Sequence, residues 1–186
     1  MKSSRVAVFI GRFQPYHNAH KEVVEKALQD FDYLIVLIGS SHLPRTRKNP
    51  WFWNERVQMV IECHSAAEHR LFISPVKDNP EDDKAWAATV HGVVMGLAPP
   101  GSEITLVHGT RTEENPEQNK KLFPKWKHRE YEIGVHRSGE SIIEDYLSIP
   151  GSFEARVEAD VPISTLAQMQ HAIDGRSIEG IRASAV

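Results

Sequence analysis

The chain has almost no sulfur chemistry: of 186 residues only Cys63 is a cysteine. An internal disulfide is therefore excluded and a reducing compartment is expected. Cys63 itself falls in a stretch that reads as helix and is expected simply to pack. No apolar run approaches the roughly twenty residues that a membrane-crossing helix needs. The first residues, MKSSRVAVFIG, hold no long hydrophobic segment with a small-residue cleavage site after it. A soluble, cytoplasmic protein is expected. Net charge is nearly absent too, with 22 Lys and Arg against 25 Asp and Glu giving a formal −3, which offers no reason to expect nucleic acid or membrane as the main partner. Local clusters remain, basic at Arg45-Thr46-Arg47-Lys48 and acidic at Glu81-Asp82-Asp83, and such runs are usually solvated. Ten histidines are present, yet there is no HExxH pattern and no cysteine set, so no metal site is expected. His17 and His20 could touch one metal, but a third ligand is not evident. There is no internal repeat and no low-complexity segment.

What is there is a regular alternation. Short, near-continuous apolar runs at Val6–Ile10, Tyr33–Ile38, Leu71–Val76 and Ile104–Val107 suit strands buried on both faces. Between them lie helical patterns at about His17–Asp30, Asn54–Ala67 and Asp83–Leu97. The expectation is one α/β domain over residues 1–186, a doubly wound parallel sheet of Rossmann-like type. In such a fold ligands bind at the carboxyl ends of the strands, where Gly11, Gly39, Asp78 and Gly109 fall. Pro99-Pro100-Gly101 reads as a turn. Beyond Trp126 the pattern weakens: a fifth strand is expected at Glu132–His136, a short helix at Ser141–Leu147 and a last helix at Ser164–Ile173, the helical appendage starting near residue 141. The tail from Arg176 is expected to be poorly ordered.

The segment between the first strand and first helix carries the sharpest signal: Gly11-Arg12-Phe13-Gln14-Pro15-Tyr16-His17-Asn18-Ala19-His20. Gly11 permits close backbone approach, Pro15 stiffens the turn, and Asn18 could cap the helix. A helix start offers free N–H groups and the positive end of a dipole, so phosphate is the expected guest. His17 and His20 can add donors, and if protonated a charge, to oxygens that become more negative during transfer of a phosphoryl or nucleotidyl group.

This decapeptide resembles the GRFQPxHxGH signature of the nucleotidylyltransferases, in particular the nicotinamide mononucleotide (NMN) adenylyltransferases of archaeal type and their Nudix-fused bacterial relatives. Further segments fit in order: Ile38-Gly39-Ser40-Ser41-His42 is similar to IGSA, and Lys48-Asn49-Pro50-Trp51 with Asn54-Glu55-Arg56 to KNPW...ER. Pro75-Val76-Lys77-Asp78 with Trp86, then Leu122-Phe123-Pro124-Lys125-Trp126, extend the likeness over about residues 5–147. No Nudix-like continuation is present, and the chain reads as the minimal domain.

The resemblance implies attack of the NMN 5′-phosphate on the α-phosphorus of ATP, giving NAD and pyrophosphate, with Mg²⁺ shared among the phosphates. His17, His20, Arg12 and Lys48 are then the catalytic cations and donors. ATP is expected against Gly11, Phe13, Gln14, His17, His20, Gly109 and Ser138, and NMN against Gly39, Ser40, Asp78, Asp82 and Trp86. Trp86 would stack on the pyridinium ring, while Asp82 stands where relatives often carry an Asn that reads the carboxamide. A departure comes later. Relatives carry S-x-T-x-x-R at a helix start, its arginine on the outer phosphates; here Ser138-Gly139-Glu140-Ser141-Ile142-Ile143 puts Glu140 at the threonine and Ile143 at the arginine. Ser177–Arg182 is the other candidate for that motif. Arg137, Arg182 or a basic residue from Arg45 to Lys48 could replace the clamp. The alternatives are a nucleotide-binding or NAD-sensing module with weakened turnover, or another acceptor such as nicotinic acid mononucleotide or phosphopantetheine. A homo-oligomer is left open.

Overall fold

The structure, a computed structural model, describes residues 3–110, 116–148 and 153–174. Five strands form one parallel sheet: β1 Arg5–Gly11, β2 Tyr33–Ile38, β3 Leu71–Pro75, β4 Glu103–Gly109 and β5 Lys127–Tyr131, in spatial order β3-β2-β1-β4-β5. The helices are α1 Asn18–Asp30, α2 Trp53–Cys63, α3 Asp83–Leu97, α4 Pro116–Leu122, α5 Gly139–Ser148, α6 Glu154–Val157 and α7 Ile163–Asp174, with a 3₁₀ turn at Ser65–Arg70. After β3 the chain returns to the other side of β1, so β1 and β4 flank the point where strand order reverses. In a doubly wound sheet the ligand crevice opens there.

Side-chain alternation along the strands explains why both faces are covered. Ala7, Phe9, Leu34, Val36 and Ile38 point to one face and pack with Val23, Val24 and Ala27 of α1 and Met59 and Val60 of α2. Val6, Val8, Ile10, Ile35 and Leu37 point to the other and meet Ala87, Val90 and Val94 of α3. The later helices α5, α6 and α7 join the first face, where Tyr146, Val157 and Met169 are fully buried.

Several boundaries differ from the sequence reading. The second helix ends at Cys63 and tightens into the 3₁₀ turn rather than running to Ala67. Residues 132–136 are not a strand; β5 is Lys127–Tyr131, a charged edge strand that pairs with β4 only. The charged α4 and four-residue α6 carried no periodic apolar signal. His17, not Asn18, is the cap residue of α1, and the Asn18 side chain donates instead to the Ala159 carbonyl at 2.8 Å. Cys63 is half-buried against the core. The expected tail from Arg176, and with it Ser177–Arg182, lies outside the described residues. Among the described residues no helix is long and apolar enough to cross a membrane.

Candidate active site

A cavity of about 810 Å³ opens at the carboxyl ends of the strands, within the size range of small-molecule sites. Its floor is the turn after β1. Gly11 is needed there, because a Cβ would come within 2.9 Å of the Phe13 ring. Phe13 itself turns back with φ of 53°, and Ser40, after β2, does the same with φ of 51°. Such values are uncommon outside glycine and persist only where surrounding contacts over-determine them.

Those contacts are identifiable. Arg56, 1% exposed, donates through Nη1 to the carbonyls of Arg12 at 2.6 Å and Gly39 at 2.8 Å, and through Nη2 to that of Ser40 at 3.3 Å. One guanidinium thus binds the turns after β1 and β2 together. Burial lowers its pKa to about 10, so it stays charged at neutral pH. Asp78, after β3, accepts from the Ser40 amide at 3.0 Å and the Ser40 hydroxyl at 2.6 Å, adding the third strand end. Gln14 holds the turn from beneath. Its amide nitrogen donates to the Trp51 carbonyl at 2.7 Å and its oxygen accepts from the Trp51 amide at 3.2 Å.

At the start of α1 the two histidine rings stack, centroids 3.8 Å apart. The His17 amide donates to His20 Nδ1 at 3.3 Å, which leaves the His20 proton on Nε2. Burial, and secondarily His17, hold the His20 pKa well below the ordinary imidazole value, so this ring is a neutral donor rather than a cation. Its walls are aromatic: Phe13 meets it edge-on at 4.8 Å and Tyr16 stacks at 5.8 Å. The Tyr16 hydroxyl in turn shares a hydrogen bond with His64 Nε2 at 2.6 Å. Burial first, then Lys21, pushes His64 down to about 4.

The loop after β5 forms another wall. Glu22 of α1 accepts from the Gly134 amide at 3.0 Å and contacts His136 Nε2 at 2.9 Å. His136, then Lys26 and the Gly134 amide, lower its carboxyl to about 2. Next comes α5, where Ser138 Oγ accepts from the Ser141 amide at 3.3 Å as a cap. Gly139 lies against the turn after β1: a Cβ there would sit 2.7 Å from the Gln14 carbonyl oxygen and 3.8 Å from His17 Cδ2. Glu140, Ile143 and Glu144 line the cavity from this helix.

Of the residues singled out from sequence, Gly11, Arg12, Phe13, Gln14, His17, His20, Gly39, Lys48, Asp78, Trp86 and Ser138 line this one cavity. Three do not. Ser40 is turned under the floor by Asp78, Gly109 is buried at the end of β4, and Asp82 caps α3 by accepting from the Ala85 amide at 2.9 Å. Two expected replacements for a phosphate clamp already have protein partners, although Arg137 lines the cavity. Arg137 reaches five acceptors on Ser141, Asp145, Arg156 and Asp160. Arg45 pairs with Glu55 at 2.6 Å, bonds the Pro50 carbonyl and lies over the Phe52 ring. Arg47 and Lys48 are exposed and line the cavity. Sequence reading missed Arg56 and Glu22 as organisers of the site. For Arg56 the signal was present, since a lone arginine within an apolar helix face invites buried carbonyl acceptors.

Among the described residues no group of three or more His, Cys, Asp or Glu side chains is placed to hold a metal ion. The arrangement as a whole offers a helix start and neutral imidazole for an anion, and a half-buried indole for a flat ring.

The sequence model of the cytidylyltransferase-like family matches residues 8–133. The nicotinamide/nicotinic acid mononucleotide adenylyltransferase of Acinetobacter baylyi is 34% identical over 120 residues, 64% of this chain and 62% of that protein. The nicotinamide-nucleotide adenylyltransferase of Archaeoglobus fulgidus is 37% identical over 94 residues, 47% of this chain and 53% of its own length. The matches thus span roughly half to three fifths of these relatives. The fold matches a bifunctional NMN adenylyltransferase/ADP ribose pyrophosphatase from Francisella tularensis, solved with AMP and a manganese ion, at TM-score 0.71 and 19% identity, over 98% of this chain and 56% of that one.

Proposed function

The chain belongs to the cytidylyltransferase-like family, and from that premise we propose that it transfers the adenylyl group of ATP to NMN, forming NAD and pyrophosphate. The observation that carries this reading is the joining in one cavity of His17 and His20, stacked at the start of α1, with the Trp86 indole. The relatives named as adenylyltransferases of this mononucleotide support it.

The attacking group, the 5′-phosphate of NMN, is already anionic, so the protein need only align it with the α-phosphorus and stabilise charge as pyrophosphate leaves. His20 Nε2–H and the His17 ring, at the positive end of the α1 dipole, donate to the phosphate oxygens on which charge grows. Arg12, Arg47 and Lys48 hold the outer phosphates, taking the part that Ile143 cannot. Ile143 is only 7% exposed and packs into the core. Arg56 is a positioning residue that keeps the turns after β1 and β2 at the spacing the two substrates require. Mg²⁺ enters as MgATP, a substrate, in keeping with the manganese found with AMP in the Francisella protein and with the preference of Mg²⁺ for phosphate over all-protein cages.

A second reading, a nucleotide-binding module of weak turnover, draws on one observation: Glu140 and Glu144 line the cavity beside Ile143, which puts negative charge where the triphosphate tail would lie. One experiment separates the readings. MgATP is offered with NMN, nicotinic acid mononucleotide or phosphopantetheine in parallel, and pyrophosphate and nucleotide product are followed. NAD formation at multiple turnovers supports the enzyme; ATP binding without product supports the module; product with phosphopantetheine alone overturns the acceptor.

A further inference from the structure

Asp82, the residue at which a reader of the acceptor's carboxamide was expected, is used as a helix cap and does not line the cavity. The end of the cavity next to Trp86 is instead completed by α4, whose Gln118 and Asn119 both line it. Trp86 meets Phe123 at 6.0 Å and 65°, and Phe123 stacks on Trp126 at 4.4 Å, so the indole plane is set from behind by two further rings. The Phe123 amide bonds the Asn119 carbonyl at 2.9 Å. Residues four apart share a helix face, and Asn119 therefore lies one turn from the ring that orients Trp86. Gln118 donates to Asp83 Oδ2 at 3.0 Å, tying α4 to the first turn of α3, the helix that carries Trp86. Asn119 is half-buried, and its carboxamide has no hydrogen-bond partner among the described residues.

From this we infer that Asn119 reads the carboxamide of the acceptor ring stacked on Trp86, and that it makes the site prefer the amide-bearing mononucleotide to the acid. The inference rests on the proposed adenylyl transfer to NMN. A primary amide and an asparagine side chain each offer a donor and an acceptor, so they form two mutual hydrogen bonds. A carboxylate accepts only: it takes one bond from Asn119 Nδ2 and sets its second oxygen against Oδ1. The acid thus loses one hydrogen bond and gains a repulsion.

The test measures kcat/KM for NMN and for nicotinic acid mononucleotide, at saturating MgATP, in the wild-type chain and in Asn119→Ala and Asn119→Asp, with ATP affinity and melting temperature recorded for each. In the wild type, NMN is expected to be favoured by tenfold or more, about the worth of one hydrogen bond. In Asn119→Ala the preference collapses toward unity through loss of NMN efficiency, while ATP affinity is unchanged. Asn119→Asp, which can only accept, lowers NMN efficiency by about tenfold and rejects the acid more strongly still, so that the preference for NMN rises. Should Asn119→Ala fail to fold, Asn119→Asp alone decides. Turnover with an unchanged NMN-to-acid ratio in the folded variants overturns the role of Asn119 and leaves the proposed function intact. No dinucleotide from either acceptor in the wild type overturns that function and the inference with it.

Discussion

The first turns of α1 and α5 begin side by side at one cavity, with Gly139 in van der Waals reach of His17, yet they are built for different tasks. The start of α1 carries no acidic residue and two histidines; that of α5 carries Glu140 in its first turn, with Ile143 and Glu144 a turn on. Both dipoles favour an anion. In α1 the His17 and Asn18 amides are taken by His20 Nδ1 and the Asp160 carbonyl, but no carboxylate answers the dipole, and the neutral His20 leaves that preference for a ligand. In α5 the chain's own carboxylate answers it. A helix N-terminus is therefore an anion site only where nearby side chains leave its field unanswered, and the contrast predicts that phosphate is gripped from the α1 side.

The strongest way to break the contrast is to remove the α1 donors. His17→Ala and His20→Ala are each expected to lower kcat/KM by roughly 10²-fold or more, about 3 kcal/mol of lost charge stabilisation, with little change in melting temperature. Wild-type turnover in both variants would falsify the role of α1. Next in size is the wall behind His20. The His64 pKa is about 4 in the fold against 6.5 ordinarily, so the unfolded chain takes up the proton first. His64 therefore contributes nothing adverse above pH 6.5, and stability falls as pH drops from 6.5 to 4. The loss is about 2 to 3 kcal/mol by linkage. Unfolding curves of His64→Asn should show a flatter acid limb over that window, and an unchanged limb would remove His64 from the account.

Gly139→Ala tests the seating of the two helix starts. A methyl 2.7 Å from the Gln14 carbonyl cannot be accommodated without moving backbone, so a loss of about 1 to 3 kcal/mol is expected, together with a raised KM for ATP. A stable variant with unchanged KM would mean that α5 can shift freely without cost to the site. The smallest effect sharpens the comparison most. Glu140→Gln removes the charge that answers the α5 dipole and should cost about 0.3 to 1 kcal/mol of stability while lowering KM for ATP a few-fold. If KM rises instead, Glu140 assists nucleotide binding and the two helix starts are more alike than their charges suggest.

The legible parts of the fold were those written in local pattern. The second strand and third helix fall on the residues expected, Tyr33–Ile38 and Asp83–Leu97, because a strand buried on both faces and a long helix each leave an apolar signature. The fifth strand did not. Lys-His-Arg-Glu-Tyr is exposed along most of its length at the sheet edge, and charge on an edge strand is what protects it from further pairing. Ile133 and Val135 suggested a strand nearby, but Ile133 is used in packing under the loop that Glu22 anchors, and Val135 faces solvent. The site divides likewise. The histidine pair and Trp86 were visible because a motif within a few residues places them. The removal of Arg45 and Arg137 from the pool of phosphate ligands was not, since it follows from partners supplied by other segments.

By itself, then, the sequence determined a strand, turn and helix with two histidines at the junction, and the alternation that repeats this unit into a doubly wound sheet. Those features depend on residues a few positions apart, whose spacing sets burial and helix geometry directly. Tertiary structure decided which side chains remain available to a ligand. Arg56 became the bracket between two turns, Arg137 became a brace across α5 and α6, and Asp82 became a cap. Each outcome turns on which acceptor lies within about 3 Å of a given donor, and only the packing of distant segments brings donor and acceptor that close.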